Sequence, residues 1–368
     1  MEKLSSRQAV TLIITTCTNI SILIVNQVAI ESFSSASILN SVYVGIISII
    51  LTILICTLYR KFVGVGILDI SEYLGGKFLK VIVGILFIFY FLATASTLLC
   101  KLVEVLKIIY YPITNRVYIN LLFIIATGII CNLKNNASIR VNSVILPISL
   151  ITLILAFVGN LKNFDMQNIY PIFGNGIDST FIKGISSLYS FGGIAYIFFL
   201  PPVLKNSDKL LKISIWGIVV SSIFMIVTIS TITLMFNDKM VNGQLFPIYI
   251  VSRYIEFGTF FQRLDSAFLL IRIMAFLSYM GITANLILKI LKNILSIKDE
   301  KPLVYPLMLL IFSISIIFNS YYELDIVQNE FIKILFFSIC IGGGFTILIC
   351  ANLKKVIQDR RSKLWKKM

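Results

Sequence analysis

Long apolar runs, most of them near the length of a bilayer crossing, alternate with short polar connectors along almost the whole chain. A crossing helix needs about 20 predominantly apolar residues. On that rule the pattern predicts ten spans, near 8–30, 38–59, 79–104, 116–133, 141–160, 184–204, 211–236, 264–291, 302–319 and 331–352. The second, "ILNSVYVGIISIILTILICTLY", is the clearest; the ninth is short and opens on two prolines. The expected fold class is therefore an all-α integral membrane protein of about ten transmembrane helices. One polytopic domain covers 1–352, with spans one to five over about 8–160 and six to ten over about 184–352, and a basic tail follows over 353–368. The apolar run after "MEKLSSRQAV" is too long for a signal-peptide core and shows no small-residue cleavage site, so it reads as a retained first helix.

Composition agrees with this picture. Of the 368 residues, 58% are hydrophobic and 13% charged, against roughly 25% charged in a soluble domain. Histidine is absent, which removes His-based triads, His metal sites and His pH switches. The six cysteines lie in apolar runs without a CxxC pair and read as small core hydrophobes. No phosphate loop, nucleophile elbow or zinc-protease motif occurs, so neither enzymatic chemistry, a cofactor nor a metal is implied.

The net charge is +15. With the N-terminus placed in the cytoplasm, 22 of the 32 Lys and Arg fall in cytoplasmic segments, and "KKVIQDRRSKLWKK" in the tail is the strongest of these signals. An even number of spans with both ends inside fits the bias. The charge reads as topology plus contact with anionic membrane lipid, not as a nucleic-acid surface.

Three places depart from plain apolar helices. The first span crowds Thr15, Thr16, Thr18, Asn19, Ser21, Asn26 and Gln27 into one crossing. The sixth, "SLYSFGGIAYIFFLPPVLK", carries Gly192-Gly193 inside it and Pro201-Pro202 at its end. A glycine pair can let a membrane helix unwind and free backbone groups toward a cavity; close helix packing is the competing explanation. The connector 161–183 is long and broken by Pro171, Gly174 and Gly176, as expected of a lid or a short surface helix, or of an ordinary connector. The first and sixth spans hold the same place in two five-span halves, which must then be inverted relative to each other. Interrupted spans at matching positions point to a binding site near the bilayer midplane. Half-helix N-termini there would receive a carboxylate, with an amino acid as the natural ligand.

Charges inside spans are few. Lys101 and Glu104, three apart at the end of the third span, can pair on one helix face, as an interfacial pair at the outer boundary. Arg272, two turns into the eighth span, must snorkel, find a partner or meet a ligand. Glu31 is expected in the outer interface.

Several stretches resemble one family. "LSSRQAVTLII" looks like its Ser-x-Arg-Gln start and "ILDISEYLGGKFLKVIVG" like its second connector. "IYPIFGNGI" followed by "SFGGIAYIFFLPPVLK" resembles its Pro-x-x-x-Gly loop and Pro-ended sixth helix, and "FPIYIVSRYIEFGTFFQRLDSAF" its approach to the eighth. The chain thus resembles the B subunits of spore germinant receptors, the spore germination permeases of the amino acid–polyamine–organocation superfamily. The resemblance implies a leucine-transporter-like fold of two inverted five-helix repeats with broken helices 1 and 6. It also implies a small-molecule germinant site between those helices, and assembly with A and C subunits in the spore inner membrane.

On that reading backbone groups at Gly192, Gly193, Ile20 and Ser21 bind the ligand carboxylate, Thr18, Asn19, Ser190 and Phe191 line the site, and Tyr90 and Tyr279 select the side chain. Thr18 with Ser190 could serve Na⁺, though nothing requires it. The sequence departs from the family where relatives carry a Gly-Thr-Gly-like step, here Thr18-Asn19-Ile20-Ser21, where a Pro is replaced by Asn26, and at Arg272, where an aromatic or apolar residue is expected. An amino acid or polyamine transporter, or a pore-type subunit passing water or ions, are the alternative functions.

Overall fold

The computed structural model describes residues 3–22, 34–133, 137–236, 247–255, 264–318 and 321–365. Asn26, Gln27 and Glu31 lie outside the described residues, as does the far end of the first predicted span. The elements run α1 (Ser6–Ile20), α2 (Ser37–Tyr59), α3 (Ile67–Ile109), α4 (Arg116–Asn132), α5 (Ala137–Gly159) and α6 (Ile194–Ile197). They continue as α7 (Leu210–Met235), α8 (Pro247–Arg253), α9 (Leu264–Leu295), α10 (Val304–Ile317), α11 (Tyr321–Ile326), α12 (Lys333–Leu335) and α13 (Thr346–Trp365). Wider π-helical turns at Val327–Ile332 and Phe336–Phe345 join the last three into one tenth segment. Among the described residues, six helical stretches are long and apolar enough to cross a membrane: α2, α3, α5, Ser207–Met235, Asp265–Leu295 and Glu330–Gln358. The shorter α4 and α10 are also apolar.

The faces of α2 show why these residues form a membrane bundle. Ile46, Ile50 and Leu54 recur every four residues and point outward, while Ser41, Val44, Ser48, Thr52 and Ile55 are buried. Lipid tails solvate the branched apolar stripe, whereas small and hydroxylated residues let a neighbouring backbone come close. The hydroxyls of Ser48 and Thr52 bond to their own helix, at the Gly45 and Ser48 carbonyls, so burial leaves them satisfied.

The packing relates the two halves. α2 packs along α7, α3 along α9, and α4 along α10. α1 packs on α7 as the sixth segment packs on α2, and α3 meets α10 as α9 meets α4. Adding five to each segment number turns these pairings into themselves or into one another.

Ends and breaks follow from local chemistry. α1 starts on a capping box in "SSRQ": Ser5 Oγ accepts from the Gln8 N–H at 3.3 Å and Gln8 Oε1 from the Ser5 N–H at 3.0 Å. The third span is longer than 79–104. It begins at Ile67 and bends at Gly75-Gly76, where Gly76 has φ 70° and ψ −166°. The carbonyls of Tyr73 and Leu74, orphaned by that bend, accept from Lys354 Nζ in α13 at 2.7 and 3.3 Å.

On the same face, Leu4 bridges to the end of the sixth segment through Leu4 N–Val203 O (2.8 Å) and Lys205 N–Leu4 O (3.0 Å). Ile67 N donates to Phe198 O at 3.2 Å, and Lys355 Nζ donates to Lys61 O at 2.6 Å. Both ends of the chain thus lie at one face of the bundle. The connector 161–183 forms short 3₁₀ and π turns, not a surface helix. It is tied down by Asp165 N on Leu234 O (2.9 Å) and by Asn40 Nδ2 on Thr180 O (2.9 Å).

Candidate functional site

The sixth segment is a tight helix and not an unwound one. Lys183–Phe191 is 3₁₀, α6 is a single short turn, and Pro201–Val203 is again 3₁₀. Gly192 (φ −56°) and Gly193 (φ −59°) both keep right-handed helical angles. Gly192 N donates to Tyr189 O at 3.0 Å, and Ala195 and Tyr196 donate to the two glycine carbonyls at 3.1 Å each. The backbone thus keeps helical angles through a turn at Gly192-Gly193, and of the groups expected to be freed there the Gly193 N–H faces the Cys17 thiol of α1.

What the glycines supply is room. A Cβ at 193 would sit 2.8 Å from both the Cys17 backbone nitrogen and Thr16 Oγ1, and one at 192 would overlap the Tyr90 hydroxyl. The sixth segment lies against α1 on one side and α3 on the other, and only glycine permits both approaches.

Around this contact three segments, α3, the sixth and α9, bring hydroxyls together. Tyr90 Oη in α3 donates to the Gly192 carbonyl at 3.2 Å. Tyr196 Oη and Thr283 Oγ1 share a hydrogen at 2.6 Å, linking the sixth segment to α9. Thr94 and Thr283 each bond back to the carbonyl of the tyrosine one turn earlier, Tyr90 at 2.9 Å and Tyr279 at 2.8 Å. The Tyr279 hydroxyl reaches toward Thr94, Tyr196 and Thr283 yet makes no hydrogen bond of ordinary geometry, although Tyr279 is wholly buried. Phe91 closes the cluster, its ring 4.8 Å from that of Tyr196. A buried hydroxyl among donors and acceptors can bind one polar group of a small solute, and the rings around it would cover the rest of such a molecule.

The other nominated residues divide. Asn19 Nδ2 bonds back to Thr15 O at 2.9 Å and reaches Ala275 O at 3.5 Å, fastening α1 to α9. Thr18, Ser21 and Ser190 spend their hydroxyls on their own chain, at Thr15 O (3.3 Å), Thr18 O (3.2 Å) and Ser187 O (2.7 Å). Ile20 packs beside Gly192, and Phe191 is buried at 1% exposure. The sequence reading missed Tyr196, Thr283 and Thr94. A signal was present: "YFLAT" over 90–94 and "YMGIT" over 279–283 repeat Tyr-x-x-x-Thr in the third and eighth spans, the two that pack on each other across the halves.

A small cavity of about 50 Å³ opens beside the cluster toward the face that holds both chain ends. Leu4, Leu12, Tyr196, Val203, Asn285 and Lys289 line it. Tyr196 is its inner wall and belongs to the cluster as well.

The charged residues correct one expectation. Glu104 Oε1 pairs with Arg116 Nη1 at 3.4 Å, and the same guanidinium donates to the Phe318 carbonyl. Lys101 and Glu104 are both buried in the bundle, level with the start of α4 and the end of α10. Arg272 does not snorkel, being only 5% exposed.

A family description, Spore germination protein, matches residues 3–324. The chain belongs to the spore germination protein family. Within it, the chain is similar to spore germination protein B2 of Bacillus subtilis (strain 168), 24% identical over 229 residues. It is also similar to spore germination protein A2 of the same organism, 25% identical over 203 residues. The alignments cover 62% and 55% of those proteins, and the same shares of this chain, so it spans less than two thirds of either relative.

Among solved structures, a nucleobase-cation-symport-1 family transporter, closed around bromovinylhydantoin, superposes with a TM-score of 0.66 at 13% identity. The superposition covers 91% of this chain and 75% of the transporter. This spore germination protein therefore has the fold of that transporter, an all-helical membrane bundle. The Ser-x-Arg-Gln start of this chain has a physical explanation, since Ser5 and Gln8 form the α1 capping box.

Proposed function

We propose that this spore germination protein is the membrane-embedded, non-enzymatic subunit of a germinant receptor. It senses a small nutrient, with an amino acid as the natural candidate, and passes the signal to A and C partner subunits in the spore inner membrane. The observation that carries the reading is the wholly buried Tyr279 hydroxyl, set among those of Thr94, Tyr196 and Thr283 without a hydrogen bond of ordinary geometry, where α3, the sixth segment and α9 meet. A ligand's polar group would satisfy it and favour one arrangement of the three segments, which is how binding energy becomes a conformational signal. The pairing of segments five apart supports two inverted five-segment repeats with α1 and the sixth segment as the mobile pair. The charge bias supports placing both ends in the cytoplasm.

A second reading, secondary transport of amino acids or polyamines, is favoured by the cavity that reaches Tyr196 from the chain-end face. Deleting the gene separates the two. The receptor reading expects spores to lose their response to one nutrient while growing cells keep normal amino acid uptake. Lost uptake with an unchanged germination response would refute it.

A further inference from the structure

Arg272 lies on the same side of α9 as Tyr279, seven residues, or about 10 Å, farther from the face of the chain ends. Its guanidinium carbon is 5.2 Å from the Phe224 ring centre on α7 and 5.5 Å from that of Phe268, one turn earlier on α9. Tyr249 of α8 also lies near enough to interact with it electrostatically. Arg272 is 5% exposed, and its Nε and Nη2 are buried without a hydrogen-bond partner. Tyr249 is the titratable group that acts on the Arg272 charge, while Asp265, two turns earlier on α9, has its Oδ2 on Tyr110 at 3.5 Å and facing Arg253 Nε at 4.0 Å.

The chemistry of the two unpaired atoms is specific. Nε and Nη2 lie on one edge of the guanidinium plane, the edge that grips a carboxylate through two parallel N–H···O bonds. Aromatic faces attract the cation and help fix the plane, but they do not replace those in-plane acceptors. A buried arginine with both donors of this edge unpaired is costly without an anion.

We infer that Arg272 is an anion-binding site, built to take the carboxylate of a small solute, at a step separate from the Tyr279 cluster. One turn nearer the centre, Asn19 touches the Ala275 carbonyl, so an anion at Arg272 would bear on the contact that fastens α1 to α9. The inference does not depend on the receptor reading, because a transporter of the same fold could use the site equally.

The test uses the full chain in lipid nanodiscs, with sodium acetate as the carboxylate probe and sodium chloride as the inorganic one. Acetate should raise the thermal unfolding midpoint of the wild type by several degrees in a saturable way. Arg272→Met should reduce that rise at least tenfold, while Arg272→Lys keeps part of it. In buffer of low anion content Arg272→Met should unfold no earlier than wild type, because the substitution removes a buried charge. A purely structural arginine would behave in the opposite way. An equal rise with chloride would overturn the carboxylate assignment. No rise with either probe, a rise that survives in Arg272→Met, or a clear loss of stability in that variant at low anion would overturn the inference. If Arg272→Met fails to accumulate, Arg272→Gln carries the same comparison.

Discussion

Tyr90 and Gly192 are locked to each other: the tyrosine hydroxyl donates to the glycine carbonyl at 3.2 Å, and a Cβ on residue 192 would overlap that hydroxyl. One oxygen thus holds the sixth segment against α3 and forbids a side chain at the point of contact. Gly192→Ala is expected to cost about 1–3 kcal/mol, the usual range for overpacking a close-packed site. Tyr90→Phe in the same chain should recover part of that, because the obstructing atom is gone. A double-mutant cycle on thermal midpoints measures the coupling. Simple additivity would show that the two residues are not in this contact.

Gly193 should behave differently. Its Cβ would meet the Cys17 backbone nitrogen at 2.8 Å, which no side-chain change can move aside. Gly193→Ala is expected to damage accumulation or folding more than Gly192→Ala, and Cys17→Ala should not rescue it. Membrane abundance and the detergent unfolding midpoint read this directly.

Gly76 tests conformation instead of space. No heavy atom lies within 4 Å of its hypothetical Cβ, yet its φ of 70° with ψ −166° belongs to a region open essentially to glycine alone. Gly76→Ala should cost about 1–3 kcal/mol through backbone strain. A stability equal to wild type would mean that the bend between Ile67–Leu74 and the rest of α3 can relax.

Two tyrosines a few ångströms apart should separate stability from response. Tyr196→Phe breaks the 2.6 Å bond to Thr283 and should lose about 1 kcal/mol. Tyr279→Phe removes a buried hydroxyl without a hydrogen bond of ordinary geometry, so stability should change little while the nutrient concentration for half-maximal germination increases at least tenfold. Thermal midpoints and germination dose–response curves on the two single variants check both halves.

The Glu104–Arg116 pair makes an asymmetric prediction. Its side chains are 11% and 20% exposed, so removing one partner leaves a largely buried charge. Glu104→Gln should destabilise by about 3–5 kcal/mol, while Glu104→Gln combined with Arg116→Met should cost less than the single change. Chemical unfolding in detergent ranks the variants.

The sequence alone was sufficient for the membrane class and the approximate place of most spans, and it marked residues 192–193 and 272 as departures from plain apolar helix. These are readable because lipid imposes a length on each crossing and a high cost on each charge or breaker within it, and both leave marks along the chain. The role of the marks was another matter. Two glycine pairs look alike in sequence, yet Gly75-Gly76 bends a helix while Gly192-Gly193 stays helical and admits α1 and Tyr90. Glu104 reads in sequence as a local partner for Lys101, and the fold also brings it Arg116 from the next helix at 3.4 Å. Thr18 and Ser190 look like ligand groups and bond their own backbones, while Tyr196 and Thr283, from segments 87 residues apart, meet at 2.6 Å. Local patterning records what each helix must do to enter lipid. Which side chain meets which is decided only when ten segments pack, because approach distances below 4 Å depend on the facing helix, and that helix lies far away in the chain.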